Sequence, residues 1–132
     1  LAADVRAMTD TTGFGLIGHL NEMLSPQDEP LGAELFADAI PLLPGAKEHM
    51  LAGKVPGGAN RNRTAFAERV DLEGTAAESL ERLLYDPQTS GGLLVAIPSQ
   101  KASLFESEAQ QRSVTAARIG RFDASGRICV RS

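Results

Sequence analysis

The sequence predicts an α+β domain, a mixed sheet of about four or five strands with helices packed on it. Three observations carry this prediction. Apolar residues recur at helical spacing in two segments, several short apolar runs have the length of strands, and Gly and Pro punctuate the chain between them. At 132 residues and 42% hydrophobic content the chain is long enough to close one core, so a single domain over 1–132 is expected.

Val5 to Thr9 reads as a short strand. From Phe14 to Leu24 the residues Leu16, Ile17, Leu20, Met23 and Leu24 fall on one helical face, and "SPQDEPLG" ends that helix with two prolines. Glu34 to Ile40 is a second strand, and "PGAKEHMLAG" a short helix with Pro44 near its start and Gly53 at its end. "VPGGANRNR" then breaks all periodicity and reads as a loop. Thr75 and Glu78 match a capping box, after which Ala76, Leu80, Leu83 and Leu84 continue as a buried stripe.

"DPQTSGG" is a loop, and Leu93 to Ile97 an uninterrupted apolar strand that calls for cover on both faces. Ser99 is placed to cap a further helix carrying Ala102, Leu104, Phe105 and Ala109. Strands near Ala116 to Phe122 and Arg127 to Val130, around an Ala-Ser-Gly turn, close the chain.

A net charge of −4 argues against a general nucleic-acid binder, but the charge is unevenly spread. Residues 1–53 hold two basic and eight acidic residues. Lys54, Arg61, Arg63 and Arg69 then stand against Glu68 alone, and residues 112–132 hold five arginines against Asp123. An anion site is expected to draw on these two segments, although any single arginine reads equally well as a solvated surface charge.

Cys129 is the only cysteine, which excludes an intrachain disulfide and a multi-cysteine metal site and fits a reducing, cytoplasmic setting. Within "RICVR" it reads as a small apolar residue of a terminal strand rather than a reactive thiol. No apolar run approaches the roughly 18 to 20 residues that span a bilayer, and the N-terminus lacks a secretory pattern, so neither a membrane nor a nucleic-acid partner is expected. The opening "LAADVRAM" lacks an initiator methionine and reads as the interior of a longer protein.

Three loops carry the candidate chemistry. In "TDTTGFGLIGHL" a strand passes into a helix through Thr9, Asp10, Thr11, Thr12, Gly13 and Gly15, so backbone amides at a helix start can face an anion. Asp10 among hydroxyls suits either a helix cap or a Mg²⁺ shared with phosphate oxygens and waters. Gly15 and Gly18, opposite the apolar stripe, make a shallow groove for another polypeptide element or a ligand, or serve close helix packing. His19, at the border of stripe and groove, is either a satisfied structural histidine or a ligand or proton-transfer group. In "PGGANRNR", Asn60, Arg61 and Arg63 follow a flexible Gly57-Gly58 turn, a composition suited to phosphate or carboxylate. In "DPQTSGG", Thr89, Ser90 and the amides of Gly91 and Gly92 form either a concave donor set or a tight turn before a strand.

"MTDTTGFGLIGHL", "GGANRN" and "DPQTSGGLLVA", in this order and separation, resemble the C-terminal domain of the selenophosphate synthetases, also called selenide, water dikinases. The similarity extends over essentially the whole chain; the first and third motifs are specific, the middle one variable. The resemblance implies an α/β sandwich like that of the aminoimidazole ribonucleotide synthetases. It also implies a two-domain polypeptide of roughly 330 to 350 residues whose N-terminal half carries the reactive cysteine or selenocysteine, a lysine and most ATP and Mg²⁺ contacts. The implied reaction turns ATP, selenide and water into selenophosphate, AMP and phosphate. The implied partners are the N-terminal ATP-binding domain and a second copy in a homodimer. The metal-binding aspartate of the motif "TD.TGFG" falls on Asp10, and Thr11, Thr12, Gly13 and Gly15 follow as the loop that shapes the ATP and Mg²⁺ site. Related sequences often read "TDVTGFG", so Thr11 is a mild departure. No catalytic residue transfers to this chain, which is expected to be inactive alone. Two other readings are a non-catalytic binding or interaction domain of the same fold and another ATP-using member of the superfamily.

Overall fold

Short helical stripes and short apolar runs do assemble into a layered α+β structure. The computed structural model describes residues 4–25 and 30–132. In chain order they form β1 (Ala7–Asp10), α1 (Gly15–Leu24), β2 (Gly32–Phe36), α2 (Ala46–Leu51), α3 (Gly57–Phe66), β3 (Val70–Glu73), α4 (Thr75–Leu84), β4 (Leu93–Ala96), α5 (Ala102–Gln111), β5 (Gly120–Asp123) and β6 (Ile128–Arg131). Pro26, the first of the two prolines expected to end α1, lies outside the described residues.

Four strands form a mixed sheet in the order β3-β6-β2-β5, with β2 and β3 parallel to β6 and β5 antiparallel to β2. One face of that sheet, through Ala33, Leu35, Ile128 and Val130, packs against Ile17, Leu20 and Leu24 of α1 and Ala77, Leu80 and Leu84 of α4. The apolar stripes read from the sequence are thus the core. β1 and β4 pair separately as a two-stranded antiparallel ribbon, with Asp10 opposite Leu93 and Met8 opposite Val95. Among the described residues no helix is long and apolar enough to cross a membrane.

Several local expectations give way, and one strand is unexpected. "PGGANRNR" is helical: Pro56 precedes the first turn of α3, and Ala59, Asn62 and Phe66 face inward at helical spacing. The period escapes an apolar count because its middle member is an asparagine. Val70–Glu73 is an additional strand, paired in parallel with β6. The capping box at Thr75 does not form; Thr75 is already inside α4, and the Ala76 amide is satisfied at 3.1 Å by Ser132 Oγ from the chain's end. Ser99 likewise makes no side-chain cap, since α5 is entered through a turn of 3₁₀ helix at Ser99–Lys101.

β4 is covered on one face only. Leu94 and Ala96 are buried, whereas Leu93 is 65% exposed and Met8, on the same outer face of the ribbon, 58%. An antiparallel pair needs only alternation, not the continuous burial of a central parallel strand.

Candidate functional site

Backbone bonds bring the first and third loops together. Thr11 N–H donates to Gly92 O at 2.9 Å, and Thr12 O accepts from both Gln88 N–H and Gly15 N–H at 3.0 Å. Gly91 sits against Thr11 so closely that a Cβ there would lie 2.4 Å from the Thr11 carbonyl. The segment before β4 and the segment before α1 are therefore one packed unit.

The second motif joins them through a residue that the sequence reading passed over. Asn62, buried on α3, donates from its side-chain amide to Gly13 O at 2.8 Å and to Tyr85 O at 2.9 Å. It ties α3 to the loop before α1 and to the end of α4. Tyr85 is itself fully buried, and that burial pushes its hydroxyl up to about 12. The neighbouring Asp86 carboxyl is raised by burial, an effect partly offset by a hydrogen bond from Gln88.

The glycines of the first motif serve this packing. Gly15 has φ +71°, and a Cβ there would meet the backbone of Tyr85 at 2.8 Å and of Leu84 and Asp86 at 3.0 Å. At Gly18 it would meet Phe66 of α3 at 2.8 Å. Both glycines are buried within the domain, so the expected groove open to another domain or a ligand does not exist at these positions. Close helix packing accounts for them. Gly13 is different: it is exposed, with open space where a Cβ would go.

Asp10 ends β1 on the exposed outer face of the ribbon, opposite Leu93. The N-cap of α1 is Phe14, with no side-chain capping bond, which removes the cap reading of Asp10. Among the described residues its carboxylate has no ion-pair or side-chain hydrogen-bond partner. Among the described residues no group of three or more His, Cys, Asp or Glu is placed to hold a metal. A single carboxylate beside hydroxyls nevertheless fits Mg²⁺, which keeps most of its waters and takes one or two protein carboxylates together with phosphate oxygens. Thr11 is buried and Thr12 partly exposed.

His19 is 7% exposed, with Nδ1 2.9 Å from Glu22 Oε2 and Nε2 3.0 Å from Thr12 Oγ1. The imidazole is satisfied on both sides, and one of its partners belongs to the site loop.

The remaining candidates are exposed. Thr89 and Ser90 lie on the surface of the third loop, and Asn60, Arg61 and Arg63 on the outer side of α3. Arg63 is committed to Glu81 of α4 at 2.7 Å, while Arg61 has no ion-pair partner among the described residues. Arg69 spends its guanidinium on the Leu31 and Gly126 carbonyls and on Asn21.

The C-terminal arginines do not supply an anion site. Each of the five is paired with a carboxylate: Arg112 with Glu108, Arg118 with Glu106, Arg121 with Glu34, Arg127 with Asp71, and Arg131 with Glu34 and Glu73. Four of these pairs, made by three of the arginines, cross the face of the four-stranded sheet away from the helices, where a cleft of about 380 Å³ is lined by both signs of charge. Cys129 lies on this polar face, its thiol raised chiefly by burial, which is the opposite of an activated nucleophile.

Residues 1–131 match the family "AIR synthase related protein, C-terminal domain". The chain is also similar to proteins named "Selenide, water dikinase": 46% identical over 116 residues to that of Cronobacter sakazakii, covering 88% of this chain and 32% of the relative. The Carboxydothermus hydrogenoformans protein is 45% identical over the same length, with 88% and 33% covered, and that of Trichlorobacter lovleyi 43% over 114 residues, with 86% and 32% covered. The chain thus spans about a third of the length of the curated relatives it matches. A match over all but the last residue, on a mixed-sheet α+β fold, places this chain in the AIR synthase related protein C-terminal domain family.

Proposed function

We propose that this chain is the C-terminal domain of a selenophosphate synthetase, the enzyme that forms selenophosphate, AMP and phosphate from ATP, selenide and water. The observation that carries this reading is the convergence of all three motifs on one wall, with Asp10 left exposed and uncapped beside it. The relatives named selenide, water dikinase support the same assignment.

In this reading Asp10 holds a Mg²⁺ jointly with ATP phosphates and with ligands from an N-terminal ATP-binding domain of the same polypeptide. When bound, that ion neutralises phosphate charge and orients the transferring group. Exposed Met8 and Leu93 flank Asp10 on the ribbon, an apolar surround that suits cover by that domain. Among the described residues Arg61, Thr89 and Ser90 are exposed and without an ion-pair or side-chain hydrogen-bond partner, which suits an anion, whereas Arg63 is held by Glu81. The full-length protein works as a cytoplasmic homodimer, and the 132-residue chain alone turns over no ATP.

The test is Asp10→Asn in the full-length protein. Loss of the charge should lower selenophosphate formation, followed by ³¹P NMR, by roughly a hundredfold or more while the melting temperature stays within a few degrees. Near-normal turnover at ordinary Mg²⁺ would remove Asp10 from the metal site.

A further inference from the structure

Thr12 Oγ1, His19 and Glu22 form a continuous hydroxyl–imidazole–carboxylate chain, with heavy-atom separations of 3.0 and 2.9 Å. Only the middle group is buried: Glu22 is solvated at one end, and Thr12 reaches the surface at the other, two residues after Asp10. Phe14 covers the imidazole at a centroid distance of 5.5 Å and rests in turn on Phe66 of α3 at 5.7 Å, so the ring is clamped in place.

The proton inventory of this chain is restrictive. A carboxylate only accepts, so Nδ1 carries the proton that bonds Glu22. In an imidazolium Nε2–H would donate to Thr12 Oγ1, whereas in the neutral imidazole Nε2 has a lone pair and Thr12 supplies the hydrogen between them. A hydroxyl has one proton, and this one points inward. What Thr12 offers outward is lone pairs alone.

We propose that His19 is a positioning residue that makes the Thr12 hydroxyl a pure acceptor, aimed at a hydrated divalent cation rather than at a phosphate oxygen. A phosphate oxygen needs a donor, which Thr12 in this state cannot be. A metal-bound water, or the ion itself, needs an acceptor. The proton arrangement is that of the neutral imidazole in this geometry; the cation as the occupant rests on the reading of Asp10 given above.

The experiment uses the full-length protein, labelled with ¹⁵N-histidine, and Mn²⁺ as the probe. Long-range ¹H–¹⁵N correlation at pH 8 should show His19, identified by the signals that vanish in His19→Gln, as the neutral Nδ1–H tautomer. An Nε2–H or doubly protonated ring would overturn the proposal. Mn²⁺ binding, read from water proton relaxation, should weaken about ten- to a hundredfold in Thr12→Val, the usual cost of losing an outer-shell partner, and Thr12→Ser should restore it to within about threefold. Glu22→Gln should weaken it in the same direction, because the amide can donate to Nδ1 and reverse the chain. Thr12→Ala replaces Thr12→Val if the latter fails to fold. Mn²⁺ binding within about threefold of wild type in the hydroxyl-free variant refutes the cation assignment. Absence of selenide-dependent ATP turnover in the wild type, with tautomer and Mn²⁺ results as expected, would instead refute the functional reading and leave this one standing.

Discussion

Replacing Asn62 by alanine should destabilise this chain far more than its polar character suggests. The side-chain amide satisfies two backbone carbonyls, of Gly13 and Tyr85, inside a contact that leaves Asn62 only 8% exposed. Truncation removes both donors and leaves two carbonyls facing a small void, at about 1 to 3 kcal/mol for each unsatisfied group. The sum, roughly 2 to 6 kcal/mol, is a large fraction of a typical domain's stability. At about 3 to 5 °C per kcal/mol for a domain of this size, the melting temperature should fall by roughly 6 to 30 °C. Asn62→Asp should be worse, because it sets a carboxylate against two carbonyl oxygens. Asn60→Ala, one helical step away on the exposed side of α3, is the control and should stay within about 0.5 kcal/mol. Circular-dichroism melting of the three variants beside the parent chain measures all of this. A melting temperature for Asn62→Ala within about 3 °C of the parent would show that water replaces the amide at little cost, and the account of α3 as the clamp of the site loop would fail.

Two further outcomes follow from the same geometry. Gly15→Ala should lose at least about 2 kcal/mol, since it forces a left-handed alanine against the Tyr85–Asp86 backbone, whereas Gly13→Ala, with open space around it, should be neutral or gain up to about 1 kcal/mol; equal melting temperatures would contradict the packing argument. Burial raises the Asp86 carboxyl in the folded chain, so its contribution to stability is complete below the ordinary carboxylate range and is lost as pH rises through the folded value. Asp86→Asn should therefore gain on the parent in melting temperature between pH 4 and pH 7, and parallel curves would exclude Asp86 as the cause. The Asp71 carboxyl, held low by its hydrogen bond from Arg127, has the opposite sign and loses its contribution as pH falls.

The fold was legible where burial follows a simple period. Leu16, Ile17, Leu20 and Leu24 mark α1, and Leu80, Leu83 and Leu84 mark α4, because a helix with one buried face must repeat its apolar residues. α3 was illegible for the same reason: its inward face is Ala59, Asn62 and Phe66, and the amide that holds the site loop counts as polar in any hydropathy pattern. β3 escaped because Asp71 and Glu73 alternate with Val70 and Leu72 over only four residues, too short to separate from a loop. The arginine clusters misled in another way. Charge counted along the chain cannot see that Glu34, Asp71 and Glu73 return from distant strands to meet Arg121, Arg127 and Arg131 across the sheet.

At the site, residue types were legible and their division of labour was not. "TDTTGFG" reads as one loop of uniform purpose, yet its members point three ways. Gly15 is consumed by the domain's own backbone, Thr12 O by the amides of Gly15 and Gln88, and the Asp10 carboxylate by nothing among the described residues. Thr12 is the hinge of this arrangement. Its carbonyl fixes the two loops to each other, and its hydroxyl is engaged by Nε2 of His19, a buried ring packed against Phe14. A hydroxyl held this way is set before any ligand arrives, which is the condition under which a polar group binds without first giving up conformational entropy. The sequence shows that a threonine is present; only the fold shows that its carbonyl is bonded by Gln88 and Gly15 and its hydroxyl by a buried imidazole.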